Sequence, residues 1–256
     1  MKQVPDPEGP QSSFEIDAGG KHVSPRGLPP VANPYDENAL EAAIRIKESR
    51  DATITLLMMG KGLSRAVLLK AMGTGADDAI LIDGDGLESQ SLDSFSTAKL
   101  LAAALVKVDC DLVLTGRQAS DTNAGQVGLI LAQLLGLPAM SLARKVKVSN
   151  GAVRVESIMP DGFVRMEAPL PALVTVSHEV GELRYPSLAA IKEAKKLPVV
   201  SLSASDLGMD AASSRLVELV GMTPPSRERQ CTMVSGETAA EAGGKLAELL
   251  HSESVV

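Results

Sequence analysis

The stretch Asp111–Gly128 reads D-L-V-L-T-G-R-Q-A-S-D-T-N-A-G-Q-V-G, which is the pattern of a buried strand, a tight loop and a helix. An apolar run ends at Gly116, small and polar residues follow, and apolar residues then continue at helical spacing from Leu129 to Leu135. Ligands of open α/β sheets lie at the carboxyl ends of strands, and the N–H groups that begin the next helix suit a phosphate. This stretch therefore predicts a nucleotide site.

Strand and helix patterns alternate through the residues that precede this stretch. Asn33-Pro34-Tyr35-Asp36 is a strong helix start, with Asn33 as the N-cap and Pro34 in the first helical turn. The predicted helices are Asn33–Glu48, Leu63–Met72 and Phe95–Val106, and the predicted strands are Thr53–Met59, Ala79–Ile82 and the run that starts at Leu112. Such alternation implies right-handed crossovers and a parallel sheet with helices packed on it.

The alternation of strands and helices ends after Pro138, and it is also absent from the N-terminal residues. Residues 1–32 are rich in Pro and Gly, which predicts an irregular arm with a short hairpin. A β-hairpin insertion is predicted with Asn150-Gly151 at its tip. The later segments are predicted as follows: strands at Arg165–Ala168 and Pro171–Ser177, a Pro-bearing turn that leads into a helix at Arg184–Lys196, extended or irregular chain at Ser201–Arg229, and a closing helix at Glu237–His251.

The chain is expected to divide after residue 196. Residues 1–196 form the predicted α/β domain, which binds the nucleotide. Residues 197–256 have few apolar residues for their length and are expected to form an extended C-terminal arm and a helix that pack on another protein.

Composition limits the function classes. The net charge of −7 and the scattered basic residues argue against a general nucleic-acid binder. Two distant cysteines and three dispersed histidines indicate no metal site. No apolar run approaches the ~20 residues of a membrane span and no signal-peptide pattern is present, so we expect a cytoplasmic protein without membrane insertion.

Catalytic motifs are not evident, and several interpretations stay open at this point. The chain has neither G-x-G-x-x-G nor a P-loop, and His178-Glu179 with Asp121 is a weak candidate for acid–base chemistry. One interpretation is that the strand ends at Gly60 and Gly116 and the helix start at Asn33 meet at one sheet edge and form a nucleotide site. The other is that each of these residues serves only as a turn or a helix cap. A nucleotide-dependent hydrolase or transferase and a pure interaction module are the alternatives to a nucleotide-bearing carrier.

A set of motifs in a fixed order resembles the beta subunits of electron transfer flavoproteins. These motifs are K-Q-V-P-D (Lys2–Asp6), N-P-Y-D-E-N-A-L-E-A-A (Asn33–Ala43), G-A-D-D-A-I (Gly75–Ile80), D-L-V-L-T-G-R-Q-A-S-D (Asp111–Asp121), L-R-Y-P-S-L-A-A-I-K-E-A-K-K (Leu183–Lys196) and S-D-L-G (Ser205–Gly208). The resemblance covers nearly the whole chain. It implies a Rossmann-like domain and an electron carrier, not an enzyme, that forms a heterodimer with an alpha subunit.

The resemblance also implies cofactors and partners. The alpha subunit carries a redox-active FAD, and this subunit carries AMP or, in electron-bifurcating relatives, a second FAD. Electrons come from acyl-CoA dehydrogenases or other flavin dehydrogenases and pass to a quinone oxidoreductase, a ferredoxin or another acceptor.

Carried over by position, the resemblance implies three sets of site residues. The nucleotide contacts are Asn33, Pro34, Tyr35, Asp36, Met59, Gly116, Arg117, Gln118, Ala119, Ser120, Asp121, Thr122, Asn123, Ala124, Gly125, Gln126 and Val127. Tyr35 is also placed near the flavin of the alpha subunit. Leu188, with Arg184 and Tyr185 beside it, is placed where a leucine anchors the partner dehydrogenase; from the sequence alone, Leu188 could equally pack inward.

Three departures from the family pattern affect these expectations. The family has an apolar strand before K-Q-V-P-D that contacts the adenine, whereas this chain begins at Met1-Lys2; this reflects either a late start or a lost strand. Gly125 and Val127 stand where AMP-type members have Asn and Thr. This difference weakens the expectation of AMP, and the end of the loop resembles that of bifurcating members, which hold FAD. Met159 replaces a Glu that helps to hold the mobile flavin domain.

Overall fold

A computed structural model gives the structure of residues 1–88, 90–210, 215–224 and 231–255. The chain forms two compact units, Met1–Met222 and Thr223–Val256. Among the helices within these residues, none is both long enough and apolar enough to cross a lipid bilayer.

The first unit contains strands that alternate with helices, as the sequence predicts. Its strands are β1 (Gln3–Pro5), β2 (Phe14–Ile16), β3 (Val23–Pro25), β4 (Pro30–Ala32), β5 (Thr55–Gly60), β6 (Asp78–Asp83), β7 (Leu112–Gly116), β8 (Ala139–Ser149), β9 (Ala152–Met159), β10 (Gly162–Pro169), β11 (Ala172–Val176) and β12 (Val199–Leu202). Its α-helices are α1 (Pro34–Ser49), α2 (Arg65–Thr74), α3 (Ser94–Leu105), α4 (Val127–Leu135) and α5 (Leu188–Ala194).

The main strands lie in two sheets. One is a three-stranded parallel sheet in the order β12-β6-β5, and the other is a five-stranded mixed sheet in the order β10-β9-β8-β11-β7. In the second sheet β11 runs parallel to both β7 and β8, and β8-β9-β10 form an antiparallel meander. β5 and β7 are edge strands of their sheets, and the ammonium of Met1 donates to the carbonyl oxygen of Leu57 on β5 at 2.6 Å.

Helices cover both faces of these sheets because successive strand residues point to opposite sides. On β11, Val174 and Val176 are fully buried in a cluster with Ala39 and Ala42 of α1. Leu173, which precedes Val174, is buried on the other face of the sheet, where it packs with α3 and α4. The predicted α/β fold with helices on both faces is therefore confirmed.

The β-hairpin insertion is also present. The register of β8 and β9 pairs Ser149 with Ala152, so Asn150-Gly151 forms the two-residue tip, and both tip residues have the positive φ that such a turn requires. β2 and β3 form the small hairpin expected in the N-terminal arm. β1 and β4 pair antiparallel and bring residues 2 and 33 together.

The structure refines the prediction for two segments. Val199–Leu202, at the edge of the segment predicted as extended or irregular, forms β12 and pairs in parallel with β6. The segment Arg184–Lys196 starts with the predicted Pro-bearing turn, and its helix begins at Leu188. Pro186 disfavours helical geometry in the residue before it, and the hydroxyl of Ser187 accepts the N–H of Ala190 as the N-cap.

The second unit contains helix α6 (Ala239–Ser252), close to the predicted Glu237–His251. Thr238 caps it by accepting the N–H of Glu241. None of the residues from Ala239 to Ser252 is buried. The predicted division of the chain at residue 196 stays a prediction.

Candidate functional site

A cavity of about 900 Å³ lies where β5, β7 and the start of α1 meet. This volume is within the roughly 300–1,000 Å³ of ligand pockets. Twelve of the predicted nucleotide contacts line it: Asn33, Asp36, Met59, Gly116, Arg117, Gln118, Ala119, Thr122, Ala124, Gly125, Gln126 and Val127. Pro34, Tyr35, Ser120, Asp121 and Asn123 belong to the same segments but are not part of this lining. The strand ends and the helix start therefore converge, as predicted.

Asn33 joins the start of α1 to the loop after β7. It occupies the N-cap position, but its side chain makes no cap hydrogen bond, contrary to the sequence prediction of a capping side chain. Its Nδ2 instead donates to the carbonyl oxygen of Gln118 at 2.8 Å, and its Oδ1 accepts the N–H of Ser120 at 3.1 Å. Asn33 is only 1% exposed, so these bonds satisfy the buried polar atoms of its own side chain. Tertiary contact has overridden the local cap.

Asp36 makes a second link between the same elements. One carboxylate oxygen accepts the N–H of Lys2 at 2.7 Å, and the other accepts the N–H of Gly116 at 3.0 Å. The ammonium of Lys2 also pairs with Asp121 at 2.7 Å. The K-Q-V-P-D segment, the helix start and the loop after β7 are thus held together by charge-assisted hydrogen bonds.

Gly116 allows the close approach of α1 to the end of β7. A Cβ at this position would lie 2.6 Å from the carbonyl carbon of Tyr35 and 2.7 Å from Oδ1 of Asp36. Real side chains never come so close, and the backbone of Tyr35 cannot move without moving α1. The glycine is therefore required by packing.

Helix α4 begins at the end of the loop and presents its first N–H groups there. The first turn of any helix has no intrahelical partners for these donors, which favours an anion. Gly125 has φ +64, a conformation that glycine adopts without strain. A Cβ on Gly128 would lie 2.7 Å from Oγ1 of Thr115, so this glycine lets α4 pack directly on β7 and β11. The loop is suited to hold a phosphate through its backbone.

Two side chains of the loop carry polar atoms whose hydrogen bonding is incomplete. Nε of Arg117 and Oγ of Ser120 are buried, and neither has a hydrogen-bond partner among the residues described by the structure. The guanidinium of Arg117 lies 5.0 Å from the centre of the Tyr35 ring, a cation–π distance. Buried polar atoms in native proteins are almost always satisfied, and Arg117 lines the cavity, so its Nε fits a polar ligand such as a nucleotide.

The far wall of the cavity contains residues that the sequence analysis missed. The side-chain amide of Gln90 accepts the N–H of Val23 at 2.7 Å and donates to its carbonyl at 2.8 Å. Asp93, the N-cap of α3, also accepts the N–H groups of Leu216 and Val217 at 2.7 and 2.9 Å. Burial alone would raise the pKa of Asp93, but these backbone N–H groups and Ser96 lower it to about 2. Only the N-cap role of Asp93, in D-S-F-S, was visible in the sequence.

Glu179, which follows His178, is not tuned as a general acid. Burial raises the pKa of Glu179, but the hydroxyl of Ser177, its own backbone N–H and the charge of His178 together lower it below its usual value. A general acid at neutral pH needs a raised pKa. Within the described residues, no group of three or more His, Cys, Asp and Glu is placed to hold a metal ion.

The predicted docking residues lie at the first position of α5 and in the segment that precedes it. Leu188 and Tyr185 are each 87% exposed, so Leu188 does not pack inward. Arg184 points back toward α1 and pairs with Glu41 and Glu48. An exposed leucine beside an exposed tyrosine is suited to burial by a partner.

We expect Asn33→Ala to weaken nucleotide retention and to lower stability. The change leaves the carbonyl of Gln118 and the N–H of Ser120 buried without partners, and each such group costs about 1–3 kcal/mol. The measurements are the nucleotide content of the purified heterodimer and its melting temperature. Gln133→Ala, at an exposed position of α4, is the control and should change neither. Full nucleotide content in Asn33→Ala would contradict the role assigned to Asn33.

Comparison with known proteins gives a consistent family assignment. Residues 23–207 match the model of the electron transfer flavoprotein domain. The chain is 34% identical to the electron transfer flavoprotein subunit beta of Thermoanaerobacterium thermosaccharolyticum, over all of this chain and 98% of the relative. It is 34% identical to the Bacillus subtilis subunit beta, over 88% of each chain. It is also 31% identical to the caffeyl-CoA reductase-Etf complex subunit CarD of Acetobacterium woodii, over all of this chain and 97% of the relative.

The motifs, the α/β fold with its cavity at the strand ends, and the full-length similarity agree with one another. The chain therefore belongs to the electron transfer flavoprotein family, as a beta subunit.

Proposed function

We propose that the chain is the subunit of a heterodimeric electron carrier that holds a nucleotide and docks the electron donor. The observation that carries the proposal is the cavity of about 900 Å³ between the start of α1 and the loop after β7. Its lining includes Arg117, whose buried Nε has no hydrogen-bond partner among the described residues. The chain serves as a carrier and not as a catalyst by itself.

The nucleotide is held by the loop between β7 and α4. The N–H groups at the start of α4 and around Gly125 bind phosphate oxygens, and Arg117 supplies the nearby positive charge. Asn33 and Asp36 fix the loop so that these donors point into the cavity. AMP in this place is a structural group, whereas an FAD would supply one- and two-electron redox chemistry.

The electron path uses a second protein on each side. The alpha subunit carries the redox-active FAD, and Tyr35 lies at the edge of this subunit that faces it. Donors are flavin dehydrogenases such as acyl-CoA dehydrogenases, which dock on Leu188 and Tyr185. The acceptor is a quinone oxidoreductase, a ferredoxin or another carrier.

The C-terminal residues 197–256 provide the arm that packs on the alpha subunit. Two observations support this role. None of the residues of α6 is buried, and its Leu246 is 45% exposed. An apolar helix surface of this kind is stabilised when a partner covers it.

A second FAD in place of AMP is the other candidate, and three observations favour it. The cavity volume is near the upper end of the usual range for ligand pockets. Gly125 and Val127 leave the end of the loop without the side chains expected for AMP. A relative of full-length similarity is named as a subunit of a caffeyl-CoA reductase-Etf complex. With this ligand the subunit belongs to an electron-bifurcating carrier.

We expect the heterodimer to release a nucleotide from this subunit when it is denatured. The test is to purify the two subunits together, denature them and quantify AMP and FAD by chromatography. One FAD with one AMP per heterodimer supports the simple carrier, and two FAD with no AMP supports the bifurcating one. One FAD with no second nucleotide would refute the site.

The visible spectrum before denaturation provides an independent count, since AMP contributes no flavin absorbance. The Asn33→Ala heterodimer is the matched control, because only the nucleotide of this subunit should decrease in it.

A further inference from the structure

One face of α1 carries polar residues where a helix packed in a core is usually apolar. Asn38, Glu41, Arg45 and Glu48 are spaced by three and four residues and therefore lie along one side of the helix. Asn38 is 8% exposed and Glu41 is 3% exposed. Burial of a carboxylate is costly unless it is paired and hydrogen-bonded, so this polar stripe requires an explanation.

The polar stripe binds the backbone that leads to the docking residues. Nδ2 of Asn38 donates to the carbonyl of Gly181 at 2.7 Å, and Nη1 of Arg45 donates to the carbonyl of Val180 at 2.7 Å. The N–H of Arg184 donates to Oε2 of Glu41 at 3.3 Å. Three consecutive turns of α1 thus hold the backbone of residues 180–184 in a fixed position along the helix.

Glu41 is the centre of the arrangement. Nε and Nη2 of Arg184 donate to its two oxygens at 3.1 and 2.9 Å, and Nε of Arg45 donates to Oε1 at 2.9 Å. Arg184 also pairs with Glu48. Burial raises the pKa of Glu41, but the hydrogen bonds from Arg184 and Arg45 outweigh it and lower the pKa. The carboxylate therefore stays ionised and holds the fork of Arg184 in a fixed plane.

The other side of the docking segment is fixed by apolar packing. Leu183 is buried in the core with α2. Ala194 is 3% exposed, and a Cβ on Gly73 of α2 would lie 3.1 Å from the Cα of Ile191, so α5 and α2 are in close contact. Between these fixed points, Tyr185 and Leu188 are the large hydrophobic side chains that project into solvent, each 87% exposed.

We propose that Glu41 is a positioning residue for donor docking: through Arg184 it sets the place from which Tyr185 and Leu188 meet the dehydrogenase. The inference rests on the proposed docking function of Leu188. Glu41 does not touch the donor, because its side chain is buried behind Arg184. Pre-organised contact residues bind with a smaller loss of conformational freedom.

The experiment measures electron transfer with the full heterodimer and an acyl-CoA dehydrogenase that the wild type accepts, reduced by its acyl-CoA. Glu41→Gln keeps the shape of the side chain and removes its charge. We expect the KM for the dehydrogenase to rise about three- to tenfold while kcat is unchanged. Hydrogen exchange at the amides of residues 182–187 should become faster in the same variant.

Two comparisons separate positioning from a general structural role. In a Leu188→Ala background, Glu41→Gln should raise KM by a smaller factor than it does in the wild type, because one of the two contacts that it positions is gone. Glu167→Gln removes the same charge from an exposed site on β10, where it pairs with Arg154, and should leave KM unchanged. If Glu41→Gln fails to fold, Arg184→Lys is the substitute. It keeps the positive charge but loses the planar guanidinium that binds both oxygens of Glu41, and it should raise KM in the same way.

The outcomes distinguish the inference from the function on which it rests. A wild-type KM for Leu188→Ala overturns the docking function itself. A raised KM for Leu188→Ala with a wild-type KM for Glu41→Gln overturns only the positioning role. Additive effects in the double variant overturn it as well.

Discussion

Leu188→Ala is expected to raise the KM of the heterodimer for its donor dehydrogenase by about 10- to 100-fold. The leucine is 87% exposed at the start of α5, and its burial by a partner contributes roughly 1.5–3 kcal/mol, which corresponds to that factor in affinity. The kcat at saturating dehydrogenase and the flavin spectrum should be unchanged. Steady-state kinetics over a range of dehydrogenase concentrations measures both constants.

The substitution should not disturb the fold, since alanine is a better helix former than leucine and the side chain contributes little to the core. Val106→Ala is a matched control: this side chain is 72% exposed at the end of α3, away from the docking segment. Its KM should equal that of the wild type. Equal constants for Leu188→Ala and wild type would show that the donor docks elsewhere.

Gly116→Ala is expected to lower stability by at least the roughly 1–3 kcal/mol of an overpacked core and to abolish nucleotide retention. The added Cβ would lie 2.6 Å from the carbonyl carbon of Tyr35, a backbone atom with no alternative position. To make room, α1 must move away from β7, which breaks the hydrogen bond from Gly116 to Asp36. Thermal unfolding and chromatography of the released nucleotide measure the two effects.

Gly19→Ala is the control for the loss of glycine itself. The nearest atom to a Cβ at this position is Oδ2 of Asp17 at 3.5 Å, an ordinary van der Waals contact. Its melting temperature and nucleotide content should match those of the wild type. A Gly116→Ala heterodimer that keeps both values would refute the packing argument and the place of α1 in the site.

Helix α1 connects the two proposed sites physically. Its first turn holds the loop after β7 through Asn33 and Asp36, and its later turns hold the docking segment through Glu41. Variants at the two ends of this helix should have separable effects. Those at the first turn reduce nucleotide content, and those at the later turns change the KM for the donor.

The alternation of strands and helices is the part of the fold that local patterns predict well. Buried strands read as short apolar runs, and Gly60, Gly75, Gly116 and Gly136 mark where strands or helices end. The hairpin tip at Asn150-Gly151 was identifiable because this pair readily adopts the positive φ of a two-residue turn. These signals depend on neighbours in sequence, and they need no knowledge of the tertiary structure.

The errors arose where distant residues compete with local preference. Asn33 occupies the cap position but uses its side chain for Gln118 and Ser120, because those buried groups have no other partner. The short segment Val199–Leu202 forms a strand only because β6 offers it an edge.

The sequence by itself determined the order of the elements, the family and the candidate loop at Asp111–Gly128, since each depends on periodicity, turn residues or motif order. Only the tertiary structure decided that Leu188 faces solvent and that Glu41 is buried against Arg184. The reason is that a short helical segment has no fixed inward face until other elements pack on it. α2 and the polar stripe of α1 occupy the inner side of α5 and its preceding turn, and Leu188 is left outside.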